Sequence, residues 1–475
     1  MFQRFICVVG IGLAAVAAMS GAEKDGMAEY LNGTLPQRWS YSPEIPMDAP
    51  EATDAWWQSF GDSILDSLVA AGISNNYDVA MAMRRAEIAR NSIRQTASGW
   101  MPVISASAGW SASQESGRIA RPYHNPSSTS YFSAGLSASW EIDLFGKIAS
   151  AVKAKKSGYM ASKAEYAGTM VSVCAQIAST YIKLRMLQEQ LAVANRHSEN
   201  QMKIVDIAKA RFETTLASKL DVAQALEVYY STTASIPMLE NSIHTTINAL
   251  AVLTGIPFTE IDATLSVPAT LPEYLQLINT GVPTNLLRRR PDIARAEMEL
   301  AAYAAEIGIA KKDFLPTLTI EGSIGTSAHR IDGMFGKQTL TYSVAPALSW
   351  TIFDGLNRRY ELANARETMM VGIDNYNLTI LNAVQETDNA ISTYYSNLHY
   401  VDAIGKVIEQ TDEELRLAVD RYKNSLSPMS DVVTAQLHSL AAENELITAK
   451  GGALSALISL YEALGGGFDI NSISK

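Results

Sequence analysis

The side chains able to do bond chemistry are few and scattered. His124, His197, His244, His329, His399 and His438 fall without the HExxH spacing that puts two imidazoles on one helical face. Cys7 and Cys174 are the only cysteines, and neither lies in a cysteine–histidine cluster along the sequence. No GxxxxGK[ST] loop offers backbone N–H groups to a phosphate. The run LLRRRPD at 286–292 could hold a phosphate. It reads better as a helix opening, with Pro291 in the first turn and Asp292 and Glu297 as partners for the arginines. Asp431, in SPMSDVV, likewise falls in a first helical turn, where the helix dipole favours a carboxylate. No catalytic constellation emerges, and neither an enzymatic activity nor a cofactor is expected.

What the sequence does hold is periodic structure. In YFSAGLSASWEIDLFG, 131–146, Phe132, Ala134, Leu136, Ala138, Trp140 and Ile142 alternate with Ser133, Gly135, Ser137, Ser139, Glu141 and Asp143. That is a strand with one apolar and one polar face. Similar strands are expected over about 103–112, around Leu318–Ile324 and over Leu340–Trp350. Between and after them lie segments rich in Ala, Glu, Lys, Leu and Met, expected as helices over 147–213, 217–255, 356–424 and 429–463, uninterrupted by proline. Met170, Cys174, Ile177, Tyr181, Leu184 and Leu191 form a heptad seam broken only by Gln188. Ile380, Val384, Ile391, Tyr394, Leu398 and Val401 repeat it, with Thr387 as the interruption. Cys174 on that seam is expected as a packing residue. A helix over 147–213 would extend roughly 100 Å, more than a compact domain needs.

The chain overlays itself at a shift of about 210 residues: Trp140 meets Trp350, Arg211 meets Arg421, Asp221 meets Asp431, and Gly255 meets Gly465. Two copies of one unit are therefore expected, at 62–258 and 283–468, joined by a proline-marked equatorial linker at 259–282. Residues 1–22 read as a signal peptide, with Arg4, an apolar run from Ile6 to Met19, and cleavage after Ala22. Residues 23–61 form an N-terminal equatorial segment and 469–475 a tail. With 38 basic and 49 acidic residues, net charge -11, the chain lacks the basic face of a nucleic-acid binder.

An exported chain with small hydroxyl side chains on the polar strand face, strands long enough to cross a bilayer, and tryptophans near strand ends points to a membrane β-barrel. Four strands cannot close a barrel, and lipid excludes open edges. Eight strands would leave a filled interior, whereas twelve from three chains would keep a lumen. The expected fold is thus an α+β membrane protein: a trimeric 12-stranded β-barrel, four strands per chain, continued by a long α-helical coiled-coil barrel, with internal duplication. Trp110, Leu136, Trp140, Leu348 and Trp350 are expected to face lipid, and Ser137, Ser139, Glu141, Thr341 and Ser343 the lumen.

WWQSFGDSILDSLV (56–69), SWEIDLFG (139–146), GVPTNLLRRRPDIARAE (281–297), LSWTIFDGLNRRYELANARE (348–367), RYKNSL with DVVTAQ (421–436) and LYEALGGGF (460–468) together resemble the TolC-like outer-membrane efflux channels serving resistance-nodulation-division pumps. The resemblance implies a homotrimer in the outer membrane that reaches into the periplasm. It would meet a periplasmic adaptor and an inner-membrane pump and pass drugs or other small molecules outward. It also implies a periplasmic gate at RYKNSLSPMSDVVTAQ, with Asp431 on the constriction and Tyr422 holding the closed state. Here Thr434 replaces a frequent second acid, Ser430 an apolar plug residue and Ser427 an arginine, so the gate is expected to be held differently or more loosely. Asp221, the counterpart of Asp431, is expected at the other hairpin tip. Cys7 lies too early to carry the lipid anchor common among such relatives, so none is expected. Two rival readings remain: a protein or peptide exit duct with an ATP-driven partner, and a secreted coiled-coil scaffold without a pore.

Overall fold

The computed structural model describes residues 55–114, 116, 128–273 and 290–466. The expected signal peptide with Cys7, residues 23–54, linker residues 274–282, residues 286–289 of the arginine run and the tail lie outside these.

The described residues open on a 3-10 turn, Trp56–Phe60, followed by α1 (Ser63–Asn75) and α2 (Tyr77–Ala97). Asp62 sets the start of α1: its Oδ1 accepts the N–H of Ile64 at 2.9 Å and of Leu65 at 3.2 Å. Strands β1 (Val103–Gln114) and β2 (Ser128–Ile142) come next, then α3 (Lys147–Glu213), α4 (Lys219–Thr254) and the short α5 (Phe258–Leu265). The second half repeats this order with α6 (Pro291–Lys312), β3 (Thr317–Ala328), β4 (Leu340–Ser349), α7 (Asn357–Lys423) and α8 (Met429–Ala463). No described helix is long and apolar enough to cross a membrane.

One expectation needs correction. Pro237 lies inside α4, which nevertheless runs on to Thr254. A proline in a helix interior removes one hydrogen bond and crowds the preceding turn. In a helix of 36 residues that defect is local, and apolar burial on either side, at Val228 and Ile247, holds the rest. The segment read as linker also contains α5, whose Ile261 and Leu265 are buried.

The chain forms two compact units. One comprises residues 86–162 and 296–376 and contains the sheet. In it Leu300, Ile307, Met369 and Ile373 pack together. The sheet is antiparallel throughout, in the order β1-β2-β3-β4, which leaves β1 and β4 as edges.

The other unit comprises, of the described residues, 55–85, 163–273, 290–295 and 377–466. Its core takes Trp56, Leu65, Cys174, Ile177, Tyr181, Leu184, Leu250, Ile391, Tyr394 and Leu457. Trp56 stacks on Tyr461 with ring centroids 5.1 Å apart. The seam of α3 is buried from Met170 to Leu184, and Cys174 is fully covered, its thiol pushed up to about 12 by burial. The polar break in the seam is an anchor. Arg185, fully buried, donates from Nη1 to Gln188 Oε1 (2.7 Å) and to the Val267 carbonyl (3.1 Å), and Gln188 Nε2 donates to the Leu265 carbonyl (2.7 Å). Arg185 Nε also donates to the Tyr181 hydroxyl (3.0 Å), which donates to Asp62 Oδ2 (2.5 Å). One network thus ties α1, α3 and the chain after α5 together.

The arginine run does open a helix at Pro291. Arg290 reaches Asp292 (3.0 and 2.9 Å), but its second carboxylate is Glu386 at 2.6 Å, not Glu297. Its Nη1 donates to the Ala463 carbonyl at 2.8 Å, satisfying the open end of α8.

Candidate functional site

Two places gather the residues singled out by the sequence: the sheet and the tips of the helical hairpins.

In the sheet, directly paired residues share a face. Trp110 lies opposite Phe132, Leu136 opposite Ile324, Trp140 opposite Ile320, and Leu318 opposite Leu348. These rows form a continuous apolar face whose side chains have no covering layer: Leu136 is 51%, Val344 73% and Leu348 65% exposed. On the opposite face Ser105 pairs with Ser137, Ser137 with Ser323, and Ser323 with Ser343. Hydroxyls bond across that face, Ser323 to Ser343 at 2.8 Å and Thr317 to Ser349 at 2.7 Å. Thr341 donates to the Gly325 carbonyl at 3.3 Å. Ser139 pairs with Glu321 and Glu141 with Thr319, which sets two carboxylates diagonally near one end of that face. All residues expected on the lipid and lumen sides within the strands therefore fall on two opposite faces. Trp350 stands one residue past β4.

The two tryptophans are held alike. Trp140 Nε1 donates to the Trp100 carbonyl at 2.9 Å, and Trp350 Nε1 to the Phe314 carbonyl at 3.0 Å. Each acceptor lies two residues before a proline, Pro102 or Pro316, so the duplication extends to the side-chain contact.

At the hairpin tips the backbones of the two copies also match. Thr215 and Ser425 both have φ of 61°, a left-handed conformation that closes each turn. Leu216 N donates to the Arg211 carbonyl, and Leu426 N to the Arg421 carbonyl, both at 2.8 Å. Thr215 N donates to the Phe212 carbonyl, and Ser425 N to the Tyr422 carbonyl, both at 3.0 Å. Beneath them, Ile204, Val205 and Ala208 of α3, Ala225 of α4, Tyr422 of α7, and Met429 and Val432 of α8 form one buried cluster.

The side chains differ. Ser218 and Asp221 cap α4 reciprocally: Asp221 N donates to Ser218 Oγ (3.2 Å) and Ser218 N to Asp221 Oδ2 (2.9 Å). At α8 the cap is Pro428, which has no side-chain acceptor. Asp431, Ser430 and Thr434 are exposed, and the Asp431 carboxylate accepts no hydrogen bond among the described residues. Tyr422 is the opposite case, 4% exposed. Its hydroxyl is buried without a hydrogen-bond partner among the described residues, as is that of Ser427. Burial, and then the Asp221 charge, hold the Tyr422 phenol above its usual range, with Arg211 opposing.

Arg211 has a role at the site beyond the repeat alignment that singled it out. Its guanidinium lies 4.9 Å from the Tyr422 ring centroid. From there it donates to the Lys423 carbonyl and to Ser425 Oγ, each at 2.7 Å. The first hairpin thus clasps the turn of the second. The repeat pairing of Arg211 with Arg421 is visible in sequence, but the contact is not.

Higher up the bundle, buried His197 sits 3.2 Å from Glu443, which also pairs with Arg196. Among the described residues, no three His, Cys, Asp or Glu side chains gather closely enough to hold a metal ion.

Comparison with known proteins agrees with this architecture. The family model described as outer membrane efflux protein matches residues 68–256 and 282–466. The chain is 28% identical to Nodulation protein T of Rhizobium leguminosarum bv. viciae over 417 residues, covering 88% of this chain and 85% of that protein. It is 28% identical to the pyoverdine export outer membrane protein OpmQ of Pseudomonas aeruginosa over 448 residues, 91% of each. Among solved structures, the outer-membrane channel OprN superposes with TM-score 0.84 at 27% identity, covering 92% of this chain and 97% of OprN. The CmeC outer membrane channel of Campylobacter jejuni, at 23% identity and TM-score 0.83, shares the fold over 92% of this chain and 93% of its own. The chain belongs to the outer membrane efflux protein family.

Proposed function

We propose that the chain is the passive outer-membrane exit channel of a tripartite efflux pump. Three copies complete a 12-stranded barrel, four strands from each. The long helices carry the passage through the periplasm toward an adaptor and an inner-membrane pump, and the cargo is drugs or other small molecules. One observation carries this reading: a four-stranded sheet that, among the described residues, has two unpaired edges, one uncovered apolar face and one hydroxyl-lined face. In lipid an unpaired edge costs several kcal/mol for each lost hydrogen bond, so the edges must be closed by other copies of the chain. The small-molecule reading draws support from relatives named for pyoverdine export and for toluene efflux, the latter 26% identical.

Within this reading Asp431, Ser430 and Thr434 line the narrow periplasmic end, with Tyr422 and Asp221 set behind them. Three Asp431 carboxylates around one axis favour cations. Because the Tyr422 hydroxyl has no partner, its ring under Arg211 does the holding. Purified protein in a planar bilayer tests both levels. Discrete channels are expected, with a reversal potential favouring cations that moves toward zero in Asp431→Asn. A protein that sizes as a trimer yet passes no current overturns the channel. Greater susceptibility of a deletion strain to several unrelated toxic compounds is the expected cellular result.

A further inference from the structure

The clasp made by Arg211 occurs once among the described residues, yet both halves of a second one are present. Shifting each participant by 210 residues gives Arg421 as donor, with Phe212, the Glu213 carbonyl and the Thr215 hydroxyl as its seat. The backbone carrying these groups is the same in both turns: φ is 61° at Thr215 and at Ser425, and the closing hydrogen bonds agree at 2.8 and 3.0 Å. The difference lies in occupancy. Tyr422, the ring under Arg211, is 4% exposed, whereas Phe212 is 47% exposed. Arg211 is engaged by three acceptors, whereas Arg421 is exposed and makes no side-chain hydrogen bond or ion pair among the described residues. Within the chain the two halves do not meet; Arg211 joins these two turns in the other direction.

We propose that Arg421 clasps the first hairpin turn of the next copy of the chain. It would stack over that copy's Phe212 and donate to its Glu213 carbonyl and Thr215 hydroxyl. This inference rests on the trimer proposed above and assigns a contact that the trimer alone does not specify. Each chain carries two hairpins. A clasp running from first to second within a chain, and from second to first between chains, closes a ring of three chains with all six tips joined alike. The contact is heterologous, and its closure follows from the rotation that relates the copies. A planar guanidinium suits both the ring face and the two acceptors, which a lysine ammonium does not match.

The test uses the full-length protein in its native membrane, with Cys174 buried and out of reach. The double variant R421C/T215C, treated with a short bismaleimide, is expected to give covalent dimers and trimers on a reducing denaturing gel. R421C alone and T215C alone are expected to give monomer. R211C/S425C, the clasp seen within the chain, is expected to cross-link without increase in mass. Parallel sizing of untreated R421C/T215C in mild detergent separates the two ways of failing. A trimer that yields no intermolecular product overturns the second clasp alone. A monomer overturns the trimer and the clasp with it. As a second reading, Arg421→Ala is expected to lower the temperature at which unheated trimer dissociates in detergent, with Arg421→Lys restoring little of it. An unchanged dissociation temperature in both variants overturns the proposal.

Discussion

At the scale of single residues, the tip of the second hairpin is held by a ring and a guanidinium. The Tyr422 hydroxyl has no partner to lose. Tyr422→Phe is therefore expected to change stability by less than about 1 kcal/mol, whereas Tyr422→Ala empties a buried site and costs about 3–5 kcal/mol. Thermal unfolding of the purified protein distinguishes the two. The Glu443 site behaves differently because it is charged. Burial alone would raise its carboxyl, but hydrogen bonds and charge from His197, then from Arg196, outweigh it and hold the group below its usual 4.5. A folded value below the unfolded one means the pairing contributes fully above about pH 4.5 and is lost as the pH falls through the depressed value. Glu443→Gln is expected to lower the melting temperature at neutral pH and to flatten its fall in acid. Equal acid dependence in both proteins would rule this out.

At the scale of elements, the close approach of β2 and β3 depends on two glycines facing each other. A Cβ built at Gly135 would stand 3.0 Å from the Ile324 carbonyl oxygen, and one at Gly325 would stand 2.9 Å from that of Ala134. Both obstacles are backbone, so the strands themselves would have to part. Gly109, on the same face in β1, would meet only Ser133 Oγ at 3.9 Å. Gly135→Val is expected to abolish the folded sheet, seen as loss of the heat-modifiable form on gels of outer membranes, while Gly109→Ala keeps it.

At the scale of the whole molecule, the two sheet faces must meet different solvents. Val344 and Ser343 are neighbours in β4 and point to opposite faces. If the apolar face meets lipid, Val344→Arg costs about 2–4 kcal/mol near the bilayer centre and lowers the yield of assembled protein. Ser343→Arg should assemble normally and reduce single-channel conductance instead. Equal assembly of both variants would contradict the assignment of faces.

Much of this was legible along the chain. Alternation in YFSAGLSASWEIDLFG fixed the strand and its faces because side chains in an extended backbone alternate whatever lies beside them. The matched positions Trp140 and Trp350, Asp221 and Asp431, showed the duplication. The seam from Met170 to Leu184 announced its own burial by heptad spacing. The helix expected over 217–255 forms although Pro237 lies within it, because a long helix is stabilised along its whole length by packing. The register that sets Gly135 against Gly325, the Tyr181–Arg185–Gln188 anchor and the Arg211 clasp were decided only by tertiary structure. Each joins residues far apart in sequence, so the spacing of residues along the chain cannot state which groups will meet.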